Sequence, residues 1–182
     1  AGDETNTFIS GKELYIYSDD NTKVDSSKIT AKAECSSQQG QEVKYFVDDD
    51  ESTKYHSSWT WQGNYSTEEG FTEIVRPGTT TVPTELVSKN NLYINLTESK
   101  TVGKLTYLPR QGEESGTENG RITTANIYVS NSDAENVSEI TDWKLVTTAN
   151  WENSTDEKEV TFSPEMAKHI RIEVKHSAGS TA

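Results

Sequence analysis

The stretch "NLYINL", residues 91–96, sets Leu92, Ile94 and Leu96 against Asn91, Tyr93 and Asn95. Side chains along a strand point alternately to the two faces of a sheet, so a period of two places the three apolar residues on one face. "ELYIY" (13–17) does the same, with Leu14 and Ile16 opposite Glu13, Tyr15 and Tyr17. "KLTYL" (104–108), "ANIYVS" (125–130), "WKLVT" (143–147), "EVTF" (159–162) and "HIRIEV" (169–174) continue the series. Turn-forming segments such as "RQGEESGTENG" and "SNSDAENVSE" separate them. Short strands in this number, with no helical periodicity between them, predict an all-β antiparallel sandwich. "SPEMAKH" (163–169) is expected to form one helical turn, and "HIRIEVKH" a strand whose polar face is wet. Residues 63–90 lack periodicity and carry Pro77 and Pro83, which predicts a long loop insertion.

Composition narrows the function. The 182 residues suffice for one domain, and a hydrophobic content of 31% suits a thin sandwich with polar loops. A net charge of −13 excludes nucleic acid as a partner, because phosphate binding needs clustered Lys and Arg. The same Coulombic argument disfavours an anionic membrane surface. No apolar run reaches the roughly 18 residues of a membrane span, and no signal-peptide pattern opens the chain. The sequence reads as a module excised from a longer protein. Cys35 is the only cysteine, so disulfides and Cys-based zinc sites are excluded, and a buried role fits it best. Sequons begin at Asn64, Asn95, Asn136 and Asn153. His169 and His176 stand an odd number of residues apart on a strand, hence on opposite faces, which argues against a shared metal.

The densest chemistry lies in "DDDESTKYHSSW", residues 48–59. Asp48, Asp50 and Ser52 have the spacing that opens an EF-hand loop, but position six is Thr53 and position twelve is Trp59, so an EF-hand is rejected. A calcium loop of another kind and a solvated acidic turn both remain open. No nucleophile–base constellation, P-loop or zinc-protease motif is present. Beyond the acids come His56, Trp59 and Trp61, and further on Arg110 in "YLPRQ". Such residues suit a sugar site, where polar groups bond hydroxyls and an aromatic ring covers the apolar face of a pyranose. Core positions for the tryptophans and a surface ion pair for Arg110 are the plainer alternatives.

Taken in order, "AECSSQQGQE", "FVDDDESTKYHSSW", "NNLYINL", "VGKLTYLPRQ", "NGRITTANIYVS", "WKLV" and "AKHIRIEV" resemble the family 32 carbohydrate-binding modules, relatives of the discoidin or coagulation factor 5/8 type C domains. The resemblance covers roughly residues 24–179, interrupted at 63–90. It implies a jelly-roll-like, galactose-binding-domain-like β-sandwich with a structural calcium ion and a shallow glycan site in the loops at one end. By position, Asp48, Asp50, Thr53 and the Tyr45 carbonyl fall on the family's calcium ligands, with Asp49 where the family usually has Gly. Glu42, His56, Trp59, Trp61, Arg110 and Asn119 are the implied carbohydrate contacts, and terminal galactose or N-acetylgalactosamine the implied ligand.

The family's closing strand, of the type S-x-x-E-I-x-[FVY], is due at "KHSAGSTA" and does not appear there, whereas "FISGKELYIY" (8–17) looks like it. Residues 1–20 are therefore expected to supply a permuted closing strand, or one exchanged between chains, with 21–182 forming the sandwich. Glu13 and the Lys12 carbonyl would then complete the calcium shell. A merely appended strand is the duller alternative. What the resemblance implies is a non-catalytic, monomeric, secreted or cell-surface bacterial module that holds a glycan-degrading enzyme or an adhesin against host glycans. The alternatives are a protein- or lipid-binding discoidin relative, using Phe71, Ile74 and Val75, and a small glycoside hydrolase.

Overall fold

A computed structural model of the chain describes residues 8–34, 37–57, 90–112 and 116–179, together with the backbone of 65–66. Cys35, Trp59, Trp61 and nearly all of the 63–90 segment, with Phe71, Ile74 and Val75, lie outside the described residues.

Ten strands follow one another: β1 (Ser10–Gly11), β2 (Glu13–Ser18), β3 (Ile29–Ala33), β4 (Ser37–Gln38), β5 (Tyr55–His56), β6 (Tyr65–Ser66), β7 (Asn91–Leu108), β8 (Ile122–Ser130), β9 (Lys144–Asn150) and β10 (Lys158–Ser177). The helical content among the described residues is three short 3-10 turns, Ser26–Lys28, Val43–Phe46 and Val137–Glu139. The main sheet runs β2-β7-β10-β8-β9, and β3 also pairs with β7. All of its pairings are antiparallel. The result is the jelly-roll-like sandwich that alternation and resemblance predict.

Two long strands organise it. β7 pairs with β10 from Tyr107↔Lys158 to Asn91↔Glu173. Its other edge is shared, β3 taking the Leu92–Leu96 half and β2 the Val102–Leu108 half. The β7–β10 register slips between Thr161 and Glu165 and between Ala167 and His169. Such bulges bend a strand, which lets one long pair serve both halves of a sandwich. Pro164, with no N–H to donate, lies inside the first slip, and Gly103 opposite leaves room for its ring. The helical turn expected at 163–169 is thus replaced by bulged strand, because Met166 and Ala167 pair with Thr101 and Lys100.

The predicted apolar faces do meet. Leu14, Ile16, Leu92, Ile94, Leu96, Leu105, Ile127, Ile170 and Ile172 are buried in one core cluster. Phe46 joins them, with its ring 5.7 Å from Tyr55 and 5.8 Å, edge-on, from Tyr107. The polar face of "HIRIEVKH" is drier than expected. His169 is buried against Asn95 Oδ1 (2.7 Å), and the Arg171 guanidinium lies 4.1 Å from the Tyr128 ring centre, with Trp143 beside it.

The N-terminal segment is built into the sheet of its own chain. Besides β2 on β7, β1 pairs with β5, placing Ser10 opposite His56 and Gly11 opposite Tyr55. Ser10 N–H also donates to the Gly120 carbonyl (2.8 Å), and Ser177 Oγ donates to the Phe8 carbonyl (2.7 Å). The segment from Phe8 to Gly11 therefore ties together β5, the loop before β8 and the end of β10. Only glycine fits at 11, where a Cβ would stand 2.5 Å from Phe46 Cε2 and 2.6 Å from Tyr107 Cε2.

Candidate functional site

The acidic loop is assembled by local turns. The Asp48 carboxylate accepts from the Asp50 N–H (3.1 Å), and Thr53 Oγ1 lies 3.0 Å from Asp48 Oδ2. Asp49 has φ +61°, the left-handed conformation that glycine favours, so it reproduces at its own cost the backbone the resemblance assigns to Gly. The Asp50 carboxylate turns aside to Ser52, accepting from its N–H (2.9 Å) and its hydroxyl (2.6 Å).

Glu13 completes the loop from another strand. It is fully buried, and its carboxyl oxygens accept from the Asp49 N–H (3.1 Å) and the Asp50 N–H (3.2 Å). Burial first, then the hydrogen bond and charge of Asp48, push its pKa up to about 8 against those two backbone donors. A buried carboxyl group held beside a half-buried one calls for a cation or a proton between them. Among the described residues no three of His, Cys, Asp and Glu converge on one point. Any metal here would rest on two carboxylates plus neutral oxygens, a hard donor set that suits calcium. Glu13, Asp48 and the Thr53 hydroxyl fit that role. The Asp50 carboxylate does not converge with them, whereas the Asp50 carbonyl lies 3.0 Å from Thr53 Oγ1. Lys12 directly precedes Glu13, and Tyr45 lies in the Val43–Phe46 turn that leads into the loop.

Four of the predicted carbohydrate residues, Glu42, His56, Arg110 and Asn119, are described, and Trp59 and Trp61 are not. His56 is buried, with its ring 5.6 Å from Phe8 and its Nδ1 2.7 Å from the Ser57 carbonyl. Burial pushes its pKa down to about 4, and the Arg110 and Lys54 charges add to the fall while the Ser57 carbonyl opposes it. His56 is therefore neutral near pH 7. Asn119 is anchored through its carbonyl, which accepts from Ser10 Oγ (2.7 Å). Its side chain lies so close to Gly179 that a Cβ there would meet Asn119 Oδ1 at 2.2 Å. The Glu42 carboxylate accepts from the Gly40 N–H (2.9 Å) and so closes the turn before Val43–Phe46.

Arg110 forms no salt bridge among the described residues. Its Nη1 donates to the Gly116 carbonyl (3.3 Å), and its other guanidinium N–H groups bond no other described residue. It opens onto a cavity of about 550 Å³ that Tyr45, Thr53, Lys54, Gln41 and Thr117 also line. Sequence reasoning missed Arg121, which holds this wall in place. It is buried, and it donates through Nε to the Arg110 carbonyl (2.9 Å) and through Nη2 to the Gly112 carbonyl (2.5 Å). "NGRI" was read for its asparagine, and nothing local marks the arginine as the clamp of its own loop.

The F5/8 type C domain model matches residues 28–182. The chain belongs to the F5/8 type C domain family. No curated protein matches it. Among solved structures, the Clostridium perfringens module CpGH89CBM32-5, in complex with GalNAc-β-1,3-galactose, is 24% identical with a TM-score of 0.58, covering 85% of this chain and 88% of that one. The family 32 module of C. perfringens NanJ, in complex with galactose, is 23% identical with a TM-score of 0.57, covering 91% and 90%. CBM32-3 of a C. perfringens family 31 glycoside hydrolase is 22% identical with a TM-score of 0.56, covering 86% and 83%. At these identities the likeness is one of fold. β1 and β2 lie ahead of the residues that match the F5/8 type C model, although they pair within the same fold.

Proposed function

We propose that this F5/8 type C domain is a non-catalytic carbohydrate-binding module for glycans ending in galactose or N-acetylgalactosamine. The carrying observation is Arg110, a guanidinium that lines a cavity and forms no salt bridge among the described residues. A charged fork can donate to adjacent hydroxyls, so Arg110 suits neighbouring oxygens of a galactose-type ring, while buried His56, with its Nδ1 on the Ser57 carbonyl, backs the wall behind it. Structural neighbours solved with galactose and with GalNAc-β-1,3-galactose support that ligand class. Trp59 and Trp61, outside the described residues, keep the stacking role. Glu42 shapes the cavity rim through the Gly40 turn.

A calcium ion held by Glu13, Asp48, Thr53 and the carbonyls of Lys12, Tyr45 and Asp50 would add charge compensation to the loop that carries β5. In this reading β2 is the family's closing strand, supplied by the N-terminus of the same chain. The module would tether a larger secreted or surface-anchored glycan-active enzyme or adhesin to its glycans. Shallow sites bind weakly, so neighbouring modules would act by avidity. Among the described residues no helix is long and apolar enough to cross a membrane. A glycan array tests the assignment. Binding concentrated on terminal galactose and N-acetylgalactosamine supports it, and equal binding to glucose-terminated glycans contradicts it.

A further inference from the structure

The chain carries 30 acidic residues against 17 Lys and Arg, so basic groups ought to be neutralised nearly everywhere. Most of the lysines that pair do so on the surface, as Lys23 does with Asp49 and Lys168 with Asp133. The cavity beside Arg110 is the exception. Lys12, Lys54 and Arg110 all line it, and among the described residues no carboxylate does. Among the described residues none of the three forms a salt bridge. Lys12 Nζ donates to the Glu51 carbonyl, Arg110 Nη1 to the Gly116 carbonyl, and Lys54 Nζ to no described residue.

Two described acids whose charges reach these cations are committed elsewhere. Glu118, whose charge reaches Arg110, accepts from the Gly116 N–H (3.1 Å), and Asp50, near Lys12, is turned onto Ser52. The three cations line the same cavity. Like charges brought together in a half-buried cavity cost stability unless an anion joins them.

We propose that this cavity is a subsite for an anionic substituent, a sulfate ester or a carboxylate, on the glycan that Arg110 holds. Arg110 supplies a planar fork that matches either group, and Lys54 and Lys12, lining the same cavity, supply point charges. Gln41 and Thr117 add neutral polar groups on the same lining. The subsite rests on the reading of the Arg110 loop as a sugar site, and it narrows the ligand class from neutral galactosides to charged ones.

Calorimetric titration of the whole chain with four probes tests the subsite: methyl β-galactoside, its 3-sulfate, its 6-sulfate and a methyl galacturonide. A charged probe is expected to bind about tenfold more tightly than the neutral one at low salt, the worth of one added charge-assisted contact. That excess should shrink as salt rises, and in Lys54→Gln the charged-to-neutral ratio should fall toward one. The ratio is internal to each variant, so a general loss of stability does not imitate the effect. An excess confined to the sulfates or to the galacturonide supports the subsite and names its source. Neutral binding with no excess, or an excess that survives Lys54→Gln, overturns the subsite and leaves the galactose reading standing. Charged binding without neutral binding supports the subsite and overturns the galactose reading. No binding by any probe overturns both.

Discussion

The Asp50 N–H donates to both Glu13 Oε1 (3.2 Å) and Asp48 Oδ1 (3.1 Å), so these two carboxyl groups share one donor although one belongs to β2 and the other to the acidic loop after the Val43–Phe46 turn. If a calcium ion is what this pair serves, removing one carboxylate removes a charged ligand. Glu13→Ala is expected to weaken calcium binding by at least about tenfold in calorimetry, since ligand charge sets affinity in such sites. The wild-type melting temperature should rise with calcium relative to chelator, through selective binding to the folded state. An unchanged affinity in the variant would remove Glu13 from the site.

Without a metal, the same pair makes stability depend on pH. The Glu13 pKa is raised in the fold to about 8 from an ordinary 4.5. A carboxyl group raised in this way favours the folded state below its unfolded pKa and loses that contribution as pH climbs toward 8. Chelator-treated protein should therefore lose stability between about pH 4.5 and pH 8, and saturating calcium should flatten the slope. His56 acts at the acid end with the opposite sign. Its folded pKa near 4 lies below the ordinary 6.5, so its contribution is present above 6.5 and is lost as pH falls toward 4. Denaturant melts across pH, with and without calcium, check both slopes.

Asp49 holds a left-handed backbone at φ +61° while its carboxylate pairs with Lys23 at 2.9 Å on the surface. An exposed pair contributes little, so the backbone decides the outcome. Asp49→Gly is expected to be close to neutral, and Asp49→Val to cost about 1–2 kcal/mol more, because a β-branched residue tolerates this conformation worst. Equal stability of the two variants would show that the loop reshapes freely.

Much of the fold was legible because burial follows alternation. Leu92, Ile94 and Leu96 point inward as their spacing requires. The continuity of the long strands was not legible. Thr97, Glu98 and Ser99 are exposed and carry no apolar alternation, yet they lie within β7. In β10, Pro164 hid a strand that bulges around it. At the site, resemblance was needed to connect Glu13 to Asp48, since that contact depends on which strand neighbours the loop. Lys54 and Arg121 were overlooked because their importance comes from convergence of loops distant in sequence. No spacing rule reports that.

Gly11 links the fold to the site, since the strand it occupies pairs with β5 beside His56. A methyl group at 11 would overlap the rings of Phe46 and Tyr107, both fully buried. Gly11→Ala is expected to cost about 1–3 kcal/mol in denaturant unfolding, the usual range for overpacking. A cost below 0.5 kcal/mol, on the order of a surface change, would mean that β1 can lift away from the core.

The most direct test of the carbohydrate reading is calorimetric titration of galactose and N-acetylgalactosamine into the wild type and Arg110→Ala. The account predicts measurable binding by the wild type and loss of at least about tenfold in the variant, the worth of a charge-assisted hydrogen bond. Equal affinity in the two proteins would contradict it, because the sugar would then lie somewhere other than the Arg110 cavity.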